Sequence, residues 1–172
     1  PADNITYSAY GEGNKPVINA SRVISGWTKH SGSIYKATVP FEVKAVYCDG
    51  KHQELTHWPD DNWLLTDEKS TSGDYIIDND LLTPGGIIGA GIVVRTQEHW
   101  LMNSSVTSYT GNRVGYDETK SIATKNSQYY FNNKLWMLNS PGEWFYDKDN
   151  QTLYLWPESG SDPNGIIVEV PE

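Results

Sequence analysis

The sequence is poor in several residue types, and each shortage excludes a class of protein. A single cysteine, Cys48, rules out an intrachain disulfide and a zinc site built from cysteines. Only 13 lysines and arginines stand against 22 aspartates and glutamates, and they are scattered singly, so neither a nucleic acid nor an anionic membrane surface is expected as a partner. The chain also lacks an apolar run of the roughly 18 residues needed to cross a bilayer.

Phenylalanine and methionine are scarce as well, whereas tryptophan and tyrosine are abundant. The 172 residues include 3 Phe and 2 Met but 7 Trp and 11 Tyr. Tryptophan and tyrosine carry a polar group beside the ring, so they suit half-exposed surfaces as well as cores. Sugar rings stack their C–H faces on such aromatic rings. The composition therefore favours a protein that handles sugars, although it also fits other β-rich proteins with small cores.

The pattern of the chain predicts an all-β fold, specifically an antiparallel β-sandwich. Helical periodicity is almost absent, and turn signals recur at roughly 8–12-residue spacing. Three hairpins are predicted, one at Asp49-Gly50, which is a preferred pair for a two-residue turn, one around residues 110–112, and one at residues 148–151. Strands are expected at residues 4–10, 34–39, 42–48, 51–55, 87–96, 100–109, 113–117, 143–147, 152–156 and 166–170, and single helical turns at 60–65, 78–82 and 132–138.

Three stretches carry turn glycines, a tryptophan and a hairpin in a distinctive arrangement. Residues 5–18 read ITYSAYGEGNKPVI, residues 26–51 contain GWT, YKA and VYCDGK, and residues 141–157 contain PGEWFYD and TLYLWP. Together they resemble the N-terminal region of secreted right-handed parallel β-helix proteins that act on polysaccharides. Some of those proteins carry a β-sandwich inserted between early rungs of the helix.

That resemblance implies a division of the chain. Residues 1–25 would form β-helix-like strands, residues 26–162 the β-sandwich, and residues 163–172 a strand that returns to the β-helix. The catalytic carboxylates of such enzymes generally lie in later rungs. The resemblance therefore implies that this segment does not supply them.

Pairs of carboxylates are the first candidates for chemistry, because glycosidases need two of them about 5–10 Å apart. The chain offers Asp60-Asp61, Asp78 with Asp80, Asp117-Glu118, and Asp147 with Asp149. All lie in predicted turns, where aspartate bonds backbone amides, and catalytic pairs usually come from different strands. No catalytic residue is therefore predicted. The same carboxylates would allow a structural Ca²⁺ at a position that the sequence does not give, and no cofactor is expected to be required.

Aromatic residues in polar loops are the best candidates for ligand contact, because loops carry function more often than strands do. Two tryptophans lie in the turn-rich segment HWPDDNW, where no alternation buries them, and packing as a plug that anchors the loop is the alternative. Two others are interpreted as either core or rim, and Trp144 is assigned to the core. The predicted ligand-binding residues are Trp58, Trp63, Asp60, Asp61, Trp100 and Trp136.

The function predicted from these observations is a non-catalytic carbohydrate-binding or accessory module of a secreted or cell-surface polysaccharide-active protein. Its partners would be a polysaccharide or oligosaccharide and the rest of a parent polypeptide, and the net charge of −9 favours a neutral glycan over an acidic one. One alternative is a segment that shapes the cleft of a β-helix glycoside hydrolase or polysaccharide lyase. The other is a structural domain of a surface or adhesion protein.

Overall fold

A computed structural model describes residues 11–13, 19–97, 100–117, 119 and 121–171. The strand predicted at residues 4–10 lies outside these ranges. So do the first ten residues of the segment that is expected to resemble a β-helix rung, and also Glu118 and His99.

The described chain consists almost entirely of short strands, which confirms the all-β prediction. Two single 3₁₀ turns, Leu135–Met137 and Pro163–Gly165, interrupt the strands. The strands are β1 (Ser21–Ile24), β2 (Thr28–Ser31), β3 (Ile34–Thr38), β4 (Val46–Cys48), β5 (Lys51–Leu55), β6 (His57–Trp58), β7 (Leu64–Leu65), β8 (Tyr75–Ile77), β9 (Gly91–Gln97), β10 (Trp100–Thr110), β11 (Arg113–Tyr116), β12 (Gln128–Asn132), β13 (Glu143–Asp147), β14 (Thr152–Trp156) and β15 (Val168–Pro171).

The strands form two curled sheets, in agreement with the predicted β-sandwich. Sheet I has eight strands in the order β1-β15-β4-β5-β13-β14-β3-β2. Sheet II has the order β6-β12-β9-β10-β11-β8, with β7 also paired to β12. The pairings are antiparallel except between β5 and β13, which run parallel with Glu54 in register with Glu143.

Each sheet packs against its own apolar cluster. The cluster of sheet I includes Val46, Trp144, Leu153 and Leu155, and Trp144 is 4% exposed, which confirms its assignment to the core. The cluster of sheet II comprises fourteen buried residues among those that the structure describes, and it includes Ile92, Val94, Tyr129 and Phe131. Alternation along β9 and β12 explains the second cluster, because every other side chain of a strand points to the same face.

All three predicted hairpins are present, and the one around residues 110–112 joins β10 to β11 with Thr110 opposite Arg113. Asp49 and Gly50 have φ values of 47° and 77°, as the two-residue turn between β4 and β5 requires. The turn from Lys148 to Gln151 joins β13 to β14, with Asn150 donating to the carboxylate of Asp147.

Other local predictions were wrong in part. The strand expected at residues 87–96 begins only at Gly91, because Ala90 N donates to Ile87 O in a turn that includes Gly89 at φ 75°. Of the three predicted helical turns, only the stretch 132–138 contains helix. Residues 60–65 end instead in β7, and residues 78–82 form a turn in which Asp78 accepts from the backbone N–H of Asp80.

Strands from the two predicted terminal segments pair with each other. β1 lies antiparallel to β15, with Val23 opposite Glu169, and β15 also pairs with β4 inside sheet I. The division of the chain at residues 25 and 162 stays a prediction. Within the described residues, the structure contains no helix long and apolar enough to cross a membrane.

The chain passes from sheet I to sheet II at a single buried residue, Thr56. Its backbone N–H donates to Trp144 O in sheet I at 2.9 Å, and its carbonyl accepts from Asn133 N beside sheet II at 3.0 Å. The segment that follows, residues 57–63, therefore lies along the seam between the two sheets.

Candidate functional site

Two neighbouring grooves meet at the seam segment, residues 57–63. Groove A has a volume of about 380 Å³ and groove B about 260 Å³. They share His57, Asp60 and Asp61, so they form one continuous depression. Groove A is lined by Lys51, His52, Gln53, Glu54, His57, Asp60, Asp61, Ser140, Pro141, Gly142, Glu143 and Glu158, and groove B by His57, Pro59, Asp60, Asp61, Asn62, Trp63 and Tyr130.

Pairing with β12 holds both ends of the seam segment. At its start His57 and Trp58 form β6, which pairs with Asn132 and Phe131. Just after its end, β7 pairs with the first residues of β12. The residues between them cannot extend the sheet, since Asn62 has a φ of 51° and Pro59 lacks a backbone N–H. They project as a loop and bring two exposed aspartates, Asp60 and Asp61, to the lining that the grooves share.

Trp58 and Trp136 pack inward, which favours the loop-anchoring alternative for Trp58. The Trp58 ring stacks on Phe131 with centroids 6.3 Å apart, and it lies 6.0 Å from the Trp136 ring. Trp136 donates from Nε1 to Gly86 O at 2.9 Å, and a Cβ on Gly85 would lie 2.9 Å from its ring. Neither side chain lines groove A or groove B.

Trp63 is the aromatic residue that the structure places at the site. It is 37% exposed and meets Tyr130 edge-on, with ring centroids 4.8 Å apart and an interplanar angle of 89°. His57 in turn lies 6.0 Å from Tyr130 and brings its Nδ1 within 3.1 Å of Pro59 O. Three rings therefore border groove B beside the two aspartates.

Asn139 connects the loop aspartate to a buried glutamate. Its side-chain Nδ2 donates to both carboxylate oxygens of Asp60, at 3.1 and 3.0 Å. Its backbone N–H, together with that of Ser140, donates to Oε2 of Glu143 at 3.1 Å. Both carboxylates are therefore positioned by hydrogen bonds, and Asn139 donates to each of them.

Glu143 is an ionisable group in an unusual environment. Its side chain lines groove A, although the residue is only 5% exposed. Burial raises the pKa of its carboxyl above the ordinary value of 4.5, and the nearby charge of Asp60 acts in the same direction. The two backbone donors and His57 lower the pKa and offset part of this effect.

Gln53 lies under groove A with its carbonyl oxygen unsatisfied. The residue is 1% exposed, and its Nε2 donates to the backbone carbonyls of Lys51 and His52. Oε1 finds no donor within the described part of the chain. A Cβ added to Gly142, which also lines the groove, would lie 3.9 Å from this oxygen.

Trp100 lies away from the seam. It begins β10, where it pairs with Gln97 in sheet II, and it is 62% exposed. Of the six residues predicted to bind ligand, the structure brings Trp63, Asp60 and Asp61 together at the grooves. Trp58 and Trp136 pack against the core of sheet II, and neither they nor Trp100 line groove A or groove B.

The other aspartates considered for chemistry take part in turns and packing. Asp78 is buried and accepts from Tyr129 Oη at 2.6 Å, while Asp147 accepts from Asn150. The described residues contain no group of three or more His, Cys, Asp or Glu side chains that could hold a metal ion. The Ca²⁺ that the sequence allows thus stays a prediction without a position.

Sequence reasoning missed Gln53, Glu54 and Glu143, which line groove A, and Asn139, which positions two of its carboxylates. Asn139 and Asp60 are 79 positions apart, so no local pattern joins them. Glu143 had a local signal, because the sequence NSPGE places a glutamate after a Pro-Gly turn, from which it can reach back to free backbone N–H groups. By itself, however, the stretch indicates only a structural hairpin.

Comparisons with known proteins link the chain to glycoside hydrolases. Residues 118–158 match the sequence model of the GH141 insertion domain. A solved structure titled "Glycoside hydrolase" is similar in fold, with a TM-score of 0.68 and 19% sequence identity over 88% of this chain. The chain spans 31% of that protein's length. No curated protein matches the sequence. The chain is thus similar to a module of glycoside hydrolases.

Proposed function

We propose that the chain is a non-catalytic carbohydrate-binding accessory module of a secreted polysaccharide-active protein, and that the two grooves at the seam hold the glycan. The likeness to a glycoside hydrolase module supports the setting. A module that spans about a third of its structural relative would work beside a catalytic part in a longer polypeptide.

The observation that carries this proposal is the combination of rings and hydrogen-bonding groups along one depression. Trp63 and Tyr130 offer apolar surface for a sugar ring at groove B. Asp60 and Asp61 line both grooves, and Glu143 and Ser140 continue the polar lining into groove A. Sugar sites combine such surfaces, because a sugar ring has apolar faces and a rim of hydroxyl groups.

A glycan-array screen of the chain, with and without Ca²⁺, tests the proposal, and tryptophan fluorescence measures affinity for each hit. Trp63→Ala should weaken binding roughly tenfold, a loss typical of a contact aromatic at a binding site. Trp100→Ala is the matched control, since it removes an exposed tryptophan outside both grooves. The proposal fails if no polysaccharide class binds, or if both variants weaken binding equally.

A second candidate is a module that shapes the substrate cleft of an adjacent glycoside hydrolase. The match to a domain described as an insertion favours it. In that case the isolated chain would bind no glycan. Trp63→Ala in the longer polypeptide would then change the preferred substrate length without changing binding by the isolated module.

A further inference from the structure

Groove A is strongly acidic. Five carboxylates line it, namely Glu54, Asp60, Asp61, Glu143 and Glu158. Lys51 is the one lysine or arginine that lines it within the described part of the chain, and its Nζ lies 2.5 Å from Glu158, so this pair is mutually neutralised. Four negative charges then face the groove, with His52 and His57 as the other ionisable groups.

The four remaining carboxylates are held in place to different degrees. Asp60 and Glu143 are both bonded to Asn139, and Glu54 lies in register with Glu143 on the neighbouring parallel strand. Leu55 and Trp144, the next residues along these strands, contact the core of sheet I. Because side chains alternate along a strand, Glu54 and Glu143 project from the opposite face, whereas Gln53 projects from the same face as Leu55. All three residues line groove A.

Gln53 gives an independent indication of a ligand. A buried carbonyl oxygen without a donor costs roughly 1–3 kcal/mol. Such an atom at a groove already rich in acceptors would be satisfied by a ligand that brings hydrogen-bond donors. Gln53 Oε1 and the carboxylates of groove A are all hydrogen-bond acceptors.

A metal ion does not fit these acceptors, because no three metal-ligating side chains converge among the described residues. A protonated primary amine does fit, since it carries one positive charge and three N–H donors that can reach separate acceptors. Hydrogen bonds between such a group and carboxylates are roughly twice as strong as neutral ones.

We propose that groove A binds the protonated amino group of an amino sugar, as found in a de-N-acetylated polysaccharide, while the neighbouring sugar ring stacks on Trp63 in groove B. A sugar is favoured over a basic peptide because the acidic groove continues directly into the aromatic one. This inference rests on the proposed function and refines it, since it replaces a neutral glycan by a cationic one.

Calorimetric titration with three tetrasaccharides tests the inference. They are β-1,4-linked tetramers of glucosamine, of N-acetylglucosamine and of glucose, which differ in the substituent at one ring position. At low salt the glucosamine tetramer should bind at least about tenfold more tightly than the other two. Equal or weaker binding of the glucosamine tetramer would overturn the amine assignment but leave the proposed function in place. If none of the three binds, and the glycan array is also negative, the proposed function fails as well.

A pair of double variants separates specific recognition from general attraction to an acidic protein. E54Q/D61N removes two exposed charges from groove A, and E68Q/D149N removes two exposed charges from elsewhere on the surface. The first should reduce affinity for the glucosamine tetramer roughly tenfold and leave the N-acetylated tetramer within about twofold, whereas the second should change neither. Equal losses in both variants would overturn the inference.

Spermine is a further test ligand in the binding experiments, because it carries amines but no sugar ring. We expect it to bind more weakly than the glucosamine tetramer and to be unaffected by Trp63→Ala. The side-chain amide resonance of Gln53 should shift when the glucosamine tetramer is added. Spermine binding as tight as that of the tetramer, or an unchanged Gln53 resonance, would contradict the assignment.

Discussion

The side-chain Nδ2 of Asn139 donates hydrogen bonds to both carboxylate oxygens of Asp60, at 3.1 and 3.0 Å, although the two residues are 79 positions apart in the sequence. The same residue uses its backbone N–H to hold Glu143. Asn139 thereby fixes the relative orientation of two carboxylates at the groove without lining the groove itself.

Asn139→Ala should therefore weaken glycan binding more than it lowers the free energy of unfolding. Asp60 loses its partner but stays hydrated, so the free energy of unfolding should fall by less than about 1 kcal/mol. Affinity for a glycan should fall several-fold, because the loop must be ordered on binding. Asn103→Ala on β10 is the control, and a loss of affinity as large in this control would contradict the positioning role.

Glu143→Gln should alter the pH dependence of stability. The pKa of Glu143 is raised in the folded protein, so the native state binds the proton more tightly than the unfolded state does. Ionised Glu143 consequently lowers stability above pH 4.5, and this cost is absent at lower pH, where both states are protonated. The variant should gain stability relative to the wild type as pH rises through the window above 4.5.

Urea denaturation of both proteins between pH 4 and 7 measures that difference. Glutamine keeps an oxygen that can accept from Asn139 N and Ser140 N, so the backbone bonds can persist. A constant difference across the pH range would show that Glu143 does not titrate differently in the two states.

Tyr129→Phe should destabilise the protein by about 1–3 kcal/mol, because it leaves a buried carboxylate oxygen of Asp78 without its donor. Burial and the Asp78 carboxylate together raise the pKa of Tyr129, so its proton stays on the phenol. Tyr109→Phe is the matched control, since its hydroxyl donates to a backbone carbonyl from a half-buried position. Urea unfolding should show a clearly larger loss for Tyr129→Phe than for the control.

Two neighbouring glycines should respond differently to alanine. At Gly85 the new Cβ would lie 2.9 Å from the Trp136 ring, whereas at Gly86 it would meet nothing within 4 Å. Gly85→Ala should therefore cost about 1–3 kcal/mol and shift tryptophan emission, because Trp136 must move against Trp58. Gly86→Ala should change the thermal midpoint little, and similar midpoints for both variants would contradict the packing.

Cys48 should react slowly with alkylating reagents until the protein unfolds. Burial, reinforced by the charges of Asp49 and Glu158, raises the pKa of its thiol from 9.0 to about 11. At pH 8 this lowers the thiolate fraction about 100-fold, and the thiolate is the reactive form. Iodoacetamide labelling followed by mass spectrometry should be at least that much slower in buffer than in concentrated urea.

The parts of the fold that could be predicted are those written in adjacent residues. Asp49-Gly50 specifies its hairpin because both residues tolerate positive φ, and Trp144 could be assigned to the core from its strand. Trp58 was harder, because its burial depends on pairing with Phe131, more than seventy positions away. The acidic groove depends on β5 lying beside β13, and no short sequence pattern predicts this parallel pairing.

The position of Thr56 between the two sheets affects how the protein unfolds. Each sheet keeps its own apolar cluster, and the chain crosses between the sheets at Thr56 and again between β12 and β13. Residues beside both crossings line groove A. A glycan bound in that groove would contact residues on both sides of the connection between the sheets and so stabilise it. We expect a bound glycan to change the stability of each sheet little but to make the two sheets unfold more cooperatively. Two thermal unfolding transitions would then approach a single transition.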